Sequence, residues 1–425
     1  MSELRFGWRE GIRYGLMGFP LAFVALPLYV ILPNYYAKAF GVPLATLGLL
    51  LLGARLFDAL IDPLLGRWSD RLFSRALHSV LAWAAAAATS LCAGFALLFF
   101  PPVSSLNVLL VWAGACLLLT YASYSLLGIM HQSWGAMLGG DETQRSRIVA
   151  WREGLGLLGV VLASIAPVVW GMGVTSILFA GALLAAWLAW KRAPEPVVAD
   201  TVSGRAHSPA HTGVSVWLPF SRPDFRALLA VFMVNGIASA VPATLILFFI
   251  QDRLQAPASA QPVFLGTYFV CAALAIPLWL QLVKRIGLAR TWGLGMLLSI
   301  AVFAFAALLG AGDVAGFTAV CALSGAALGT DLALPGALLA GTIAGNGDRG
   351  RAEGAYFGWW NFATKLNLAL AAGVALPALG LWGYTPGAQD VAALQTLTWA
   401  YCLLPCGLKL LAAGLLYSLI IRRIP

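Results

Sequence analysis

The strongest constraint on this chain is the recurrence of apolar stretches about as long as a bilayer is thick. A helix needs roughly 20 apolar residues to cross the hydrocarbon layer. Such segments recur near 12–37, 44–66, 77–100, 106–138, 148–171, 173–190, 224–250, 261–284, 289–310, 314–344, 355–382 and 393–421. The longest need not be helical throughout. Composition agrees: of 425 residues 61% are hydrophobic and only 10% charged, with a mean hydropathy of +0.86, far outside the range of soluble globular chains. The pattern predicts an all-α membrane protein. The opening MSELRFGWREGIRYG is charged for too long to start a secretory signal, and no small-residue cleavage site follows, so the first helix is expected to stay.

A net charge of +9 could point to nucleic acid or anionic lipid, so its distribution matters more than its sum. Basic residues gather in alternate loops: Arg67, Arg71 and Arg75; Arg145, Arg147 and Arg152; Lys284, Arg285 and Arg290; Arg349 and Arg351; Arg422 and Arg423. The opposite loops carry little beyond Lys38 and Arg253. This alternation is topogenic and sets both termini on the cytoplasmic side of a cell inner (cytoplasmic) membrane that the chain crosses many times. It implies the lipid bilayer as partner and no nucleic acid, and nothing suggests an obligate protein partner. Between the sixth and seventh segments KRAPEPVVADTVSGRAHSPAHTG is rich in Pro, Ser, Thr, His and charge. It reads as a cytoplasmic linker over 191–222, dividing an N-terminal six-helix bundle (1–190) from a C-terminal one (223–425). PLLGRWSDR from Pro63 and PLWLQLVKRIG from Pro277 share an outline, a faint repeat that suits transporters built from repeated bundles.

Charges inside the spans carry the chemistry. An ionisable residue at the bilayer centre costs about 2.5 to 3.5 kcal/mol on insertion scales, so each needs a pathway, a partner or a function. In RLFDALIDPLLGRWSDR, Arg55, Asp58 and Asp62 stand at i, i+3 and i+7, on one helical face that must point into the bundle. Two carboxylates a turn apart, with an arginine beside them, can bind a proton or sodium reversibly. A structural ion pair between Arg55 and one aspartate is the bland alternative, and it leaves the second acid over. Lys365, in FGWWNFATKLN with Trp360 and Asn361, lies too deep to snorkel and is expected to meet an acid from the other half. Lys409 has a weaker context.

The fourth span holds TYASYSLLGIMHQSWGAML, with Tyr121, Tyr124, His131, Gln132 and Trp134 over a few turns. Rings and amides of this kind can stack on and hydrogen-bond a polyol or glycoside. A lone His on such a helix can equally be a satisfied core residue. Asp331, one turn before Pro335, is a further intramembrane acid. The six cysteines all fall in apolar segments without metal-site spacing. No GxGxxG after a strand, P-loop, HExxH or nucleophile elbow is present, which argues against an enzyme, a cofactor and ATP-driven transport.

ARLFDALIDPLLGRWSDR resembles the second-helix signature of the glycoside, pentoside and hexuronide cation symporters of the major facilitator superfamily. YGLMGFPLAFVALPLYVILPNYYAKAFG resembles that family's first helix, RSRIVAWREG the entry to its fifth, and RGRAEGAYFGWWNFATKLN the start of its eleventh. The likeness runs over most of the chain. It implies a major facilitator fold with twelve transmembrane helices, working by alternating access. By position Asp58 and Asp62 match the paired cation-site acids, Arg55 the arginine before them, Arg152 the fifth-helix arginine and Lys365 the eleventh-helix lysine. Asp70, with Arg67 or Arg71 in the loop GRWSDR that starts at Gly66, would pair across the cytoplasmic face as a gate. Ala22 stands where a member of the family has a sugar-binding aspartate, His131 where many have Asp or Asn, and Ile61 replaces a polar neighbour of the acids. Fewer hard oxygens and a titratable His131 favour a proton over sodium as the coupling ion. The function implied is cation-coupled symport of a sugar or glycoside-like small molecule, with substrate met by Ala22, Tyr121, Tyr124, Gln132, Trp134, Arg152, Asp331, Trp360 and Asn361. A lysophospholipid or other amphiphile, or a drug exported by proton exchange, is the alternative cargo.

Overall fold

The computed structural model describes residues 6–103, 105–196, 215–257, 259–385 and 387–423. It is built of helices: α1 (Trp8–Phe40), α2 (Leu44–Arg75), α3 (Leu77–Phe99), α4 (Leu106–Leu138), α5 (Glu142–Trp190), α6 (Pro223–Arg253), α7 (Ala260–Ile286), α8 (Leu288–Ala306), α9 (Val314–Gly345), α10 (Glu353–Leu381) and α11 (Val391–Arg423). Among the described residues ten of these are long and apolar enough to cross a bilayer. The two spans expected over 148–171 and 173–190 belong to the single 49-residue run α5, interrupted at Gly171. There φ is +75° and ψ 169°, a conformation only glycine adopts without strain. Most of the expected linker, residues 197–214, lies outside the described residues.

The helices group into two units. The first comprises Met1–Ser221 and Ile343–Phe362, the second Arg222–Thr342 and Ala363–Pro425. A cut at the linker alone, as the sequence suggests, would assign Ile343–Phe362 to the second. It groups with the first because its backbone lies directly against α2, as described below.

In the first unit α1 runs along α5. The apolar effect that drives helices together in water is absent in lipid, so close packing of small residues takes its place. A Cβ on Gly18 would lie 2.1 Å from the Arg152 carbonyl oxygen, and one on Gly159 2.2 Å from that of Phe19. Away from this seam, Phe23 of α1 stacks on Phe179 of α5, Phe95 of α3 meets Phe179 at a tilt and Phe99 meets Phe95 likewise, forming an aromatic core. Helix α2 packs on α4. Its residues Leu52, Leu56, Leu60 and Leu64, four apart, form an exposed apolar stripe, whereas Asp58 and Asp62 are buried. That division of faces keeps the acids inside the unit. In the second unit α11 packs on α6 and α8, around a core where Phe249 stacks on Tyr401 at 4.2 Å. The Asp252 carboxylate accepts from the Tyr384 hydroxyl and the Gly387 N–H, tying the end of α6 to the loop after α10. Burial, with that carboxylate beside it, holds the Tyr384 phenol above its usual range.

Candidate functional site

The polar centre of the first unit is assembled from α1, α2, α4, α5 and the first turns of α10. Asp58 is 2% exposed, and its carboxylate accepts from the buried Ser125 hydroxyl on α4 at 2.8 Å. A hydrogen bond of this kind to a charged group is stronger than a neutral one. Arg55, one turn before, places its guanidinium over the Tyr29 ring, 4.8 Å from the centroid. Tyr29 lies in a π-helical turn of α1, Pro27–Ile31, and its ring centroid is 5.9 Å from that of Tyr121 on α4. The Tyr124 phenol stands in the field of Asp58, Asp62 and Arg152 together. Pro63 has no N–H to return to the Ala59 carbonyl, so that oxygen of α2 lacks its usual helical donor.

Two turns further along α4, Gln132 bridges to the other helices. With its amide in the orientation that satisfies both ends, its oxygen accepts from the Arg152 guanidinium at 3.0 and 3.2 Å and its nitrogen donates to the Asn361 side-chain oxygen at 3.2 Å. Arg152 also pairs with Glu153 at 2.7 Å. The fold therefore gathers Arg55, Asp58, Asp62, Tyr121, Tyr124, Gln132, Arg152 and Asn361 in one unit, with Trp360 buried beside Asn361 in the chain. Two carboxylates, two guanidiniums, hydroxyls and amides on one set of helices can hold a cation and a hydroxylated ligand.

A second construction sits at the end of α2. Gly66 and Gly354 face each other so closely that a Cβ on either would lie 2.0 to 2.1 Å from the other's carbonyl oxygen. A Cβ on Gly358 would lie 2.6 Å from the Asp62 carbonyl oxygen. Only glycine lets the two backbones meet, and the GAYFG spacing puts both glycines of α10 on one face. The Asp70 carboxylate accepts from the Gly354 and Ala355 N–H groups, at 2.6 and 2.9 Å. This is the anion site that an open helix N-terminus provides. The expected pairing of Asp70 with Arg67 or Arg71 is thus replaced by a backbone contact: its oxygens point at α10, and Arg71 is exposed while Arg67 is half-buried. Arg349, before α10, donates to the Met137 carbonyl at the C-terminal end of α4 at 2.8 Å. A cation there suits the negative end of the helix dipole.

Other expected site residues lie elsewhere. His131 is fully buried, stacked on Tyr14 with centroids 4.3 Å apart and edge-on to Trp190 at 5.0 Å. Its Nε2 donates to the Tyr14 carbonyl at 2.8 Å, and the Tyr14 hydroxyl donates back to the His131 carbonyl. The fold makes His131 a core residue, bonded through Nε2, with Nδ1 buried and without a partner, and packed on Tyr14 and Trp190. Trp134 is 2% exposed, packs on Trp190 and Phe73, and donates to the Pro194 carbonyl. Ala22 abuts Gly156 in the α1–α5 seam, 3.4 Å from where a Cβ there would be. Lys365 and Asp331 fall in the second unit. There Asp331 accepts from Asn235, Ser239, Trp292 and Lys409.

Reading the sequence missed Ser125, Tyr29, Gly354, Gly358, Arg349 and the partners of Asp331. The GxxxG spacing of Gly354 and Gly358 was a legible signal; Ser125, four residues after Tyr121, was another. A many-helix membrane protein with charged groups held inside its bundles belongs to the class of multi-pass transporters. This chain belongs to the family described as MFS/sugar transport protein, whose profile matches residues 13–423. It is similar to the inner membrane symporter YicJ of Escherichia coli (strain K12), 28% identical over 159 residues, 37% of this chain and 34% of that protein. The match thus spans about a third of that relative's length. It is similar over nearly its whole length to the uncharacterized symporter YjmB of Bacillus subtilis (strain 168), 24% identical over 442 residues, 98% of this chain and 94% of that one. A bacterial homologue of the iron transporter ferroportin, solved in an outward-facing state, shares the fold, with a TM-score of 0.72 and 15% identity over 98% of this chain and 99% of that one. The protein is a multi-pass membrane protein of this MFS/sugar transport family.

Proposed function

We propose that the protein is a secondary active transporter of an inner membrane that couples uptake of a sugar or glycoside-like molecule to a proton by alternating access. In this reading α5 crosses twice with its break at Gly171, α2 crosses once, twelve crossings result, and both termini are cytoplasmic. The observation that carries the reading is the buried Asp58, bonded to Ser125 and one turn from Asp62, in the same unit as Arg55, Tyr124 and Arg152. Symporters in name among its relatives, and a family described by sugar transport, support it.

The acids would carry the cation. A proton needs one base, whereas sodium needs a shell of hard oxygens. Ile61 leaves the α2 stretch between the acids apolar. In this reading His131 has no part in the preference, since its Nε2 is committed to the Tyr14 carbonyl and its ring packs on Tyr14 and Trp190. Gln132, Arg152 and Asn361, with the Tyr121 and Tyr124 rings nearby, would bind hydroxyls and a ring face. Cation and substrate are coupled when both favour the same conformations, because a ligand shifts an equilibrium only by its differential affinity. Asp70 on the α10 N-terminus and Arg349 on the α4 C-terminus would latch one such conformation, and Gly66 makes the contact possible.

An amphiphile is the second reading, favoured by the apolar Ala22 seam where a sugar acid could have stood. Uptake by proteoliposomes separates the two. Sugars from a panel should accumulate when a pH gradient is imposed, with a sodium gradient ineffective. Absence of cation-driven flux for every sugar, alongside flux of a lysolipid or dye, would overturn the sugar reading.

A further inference from the structure

We propose that the Lys409 ammonium is a built-in monovalent cation, filling an oxygen site in the second unit that would otherwise bind a free ion of ammonium or potassium size. The argument rests on what surrounds its nitrogen. Lys409 is 4% exposed, on α11, and donates to the Asn235 side-chain oxygen at 2.9 Å and to Asp331 Oδ2 at 3.1 Å. Asn235, itself 3% exposed, is oriented by its other end, which donates to Asp331 Oδ1 at 3.0 Å. The Ser239 hydroxyl donates to Asp331 Oδ2 at 3.3 Å, and the fully buried Trp292 indole to Oδ1 at 2.8 Å. Four helices, α6, α8, α9 and α11, thus converge on one carboxylate.

The geometry is that of an ion site rather than a simple pair. Asp331 accepts from three donors besides Lys409, so its carboxylate is held in place without help from the lysine. Asn235 cannot turn its oxygen away from the ammonium without also turning its N–H away from Asp331, so that oxygen stays aimed at the cation position. Remove the lysine, and an anionic oxygen and an amide oxygen remain aimed at its place inside the bundle. Oxygen ligands with a net negative charge are what hard cations select. The nitrogen-to-oxygen distances suit a cation with the radius of ammonium, which potassium shares. A carboxylate in hydrocarbon demands a counter-charge, and a tethered one is never lost during the transport cycle. The exchangeable cation is then left to the first unit, a consequence that rests on the proposed function, whereas the site itself does not.

The test is ion-specific thermal stability of the purified full-length protein in detergent, in potassium, ammonium, sodium or choline chloride at equal ionic strength. The wild type should unfold at one temperature in all four. Lys409→Ala should unfold earlier in choline and recover by about 2–4 °C or more in potassium or ammonium, saturably, as a ligand binding only the folded state must. The recovery should vanish in Lys409→Ala with Asp331→Asn. Equal midpoints of Lys409→Ala in all four salts, or a recovery that survives the second substitution, would overturn the assignment. If Lys409→Ala does not fold, Lys409→Arg and Lys409→Met decide: the cationic side chain should preserve the protein and the isosteric neutral one should not. A Met variant as stable as the Arg variant would overturn it equally. Ion-specific stability needs no substrate, so this outcome is independent of whether sugars are carried.

Discussion

At the scale of the residue, helical phase decides role. On α4, Tyr121, Ser125 and Gln132 stand at i, i+4 and i+11, close to one stripe, and the structure turns that stripe to Asp58, Arg152 and Asn361. His131 and Trp134, three apart, lie on another stripe that packs on Tyr14 and Trp190. Adjacent residues on a helix point about 100° apart, so Gln132 turns to Arg152 and Asn361 while His131, two turns beyond Tyr124, packs on Tyr14 and Trp190. Three substitutions test these roles. His131→Phe should lower the unfolding temperature, because it leaves the buried Tyr14 carbonyl without its donor at about 1–3 kcal/mol. It should leave the ion dependence of uptake in proteoliposomes unchanged; loss of that dependence would restore His131 to the coupling group. Asp58→Asn should abolish gradient-driven accumulation while exchange of substrate across the membrane persists. Ser125→Ala, which removes a bond to a charged acceptor worth about 1.5–3 kcal/mol, should shift the cation concentration for half-maximal uptake about tenfold or more. An unchanged half-maximal concentration would exclude Ser125 from the site.

At the scale of the element, the α2–α10 contact is the sharpest feature. Gly66, Gly354 and Gly358 are interchangeable with nothing, because backbone rather than a yielding side chain stands where a Cβ would go. Gly354→Ala should therefore destabilise by about 1–3 kcal/mol, as overpacking does, and slow transport. Thermal unfolding and uptake rate measured on one preparation check both. Wild-type values in each would show that the two helices can part without loss. Much of this was legible: GAYFG carries the small-xxx-small signal, and Gly66 was already marked for the gate. What could not be read was the partner of Asp70. Sequence offers arginines to a carboxylate by proximity along the chain, whereas the fold offers it an open helix N-terminus that becomes its neighbour only after packing.

At the scale of the molecule, the proposed topology is a statement about loops. Single cysteines introduced at Asp141 and Glu195, in a background freed of native thiols, should react with an impermeant maleimide only after access to the cytoplasmic side. Those at Lys38 and Asp313 should react from outside intact cells. Labelling of Lys38→Cys and Asp141→Cys from the same side would refute the alternation of charge as the determinant of orientation.

The sequence by itself determined the class of the fold, the family and the position of the paired acids. These depend on local quantities: apolar length against bilayer thickness, charge on alternate loops, and spacing along one helix. The tertiary structure decided which polar residues act together. It set His131 into the core, put Gln132 between Arg152 and Asn361, seated Asp70 on α10, and joined Lys409 to Asp331 from helices far apart in the chain. In a medium without water every buried polar group must find its partner within the protein, and which partner it finds is fixed by how helices pack, not by where residues stand in the chain.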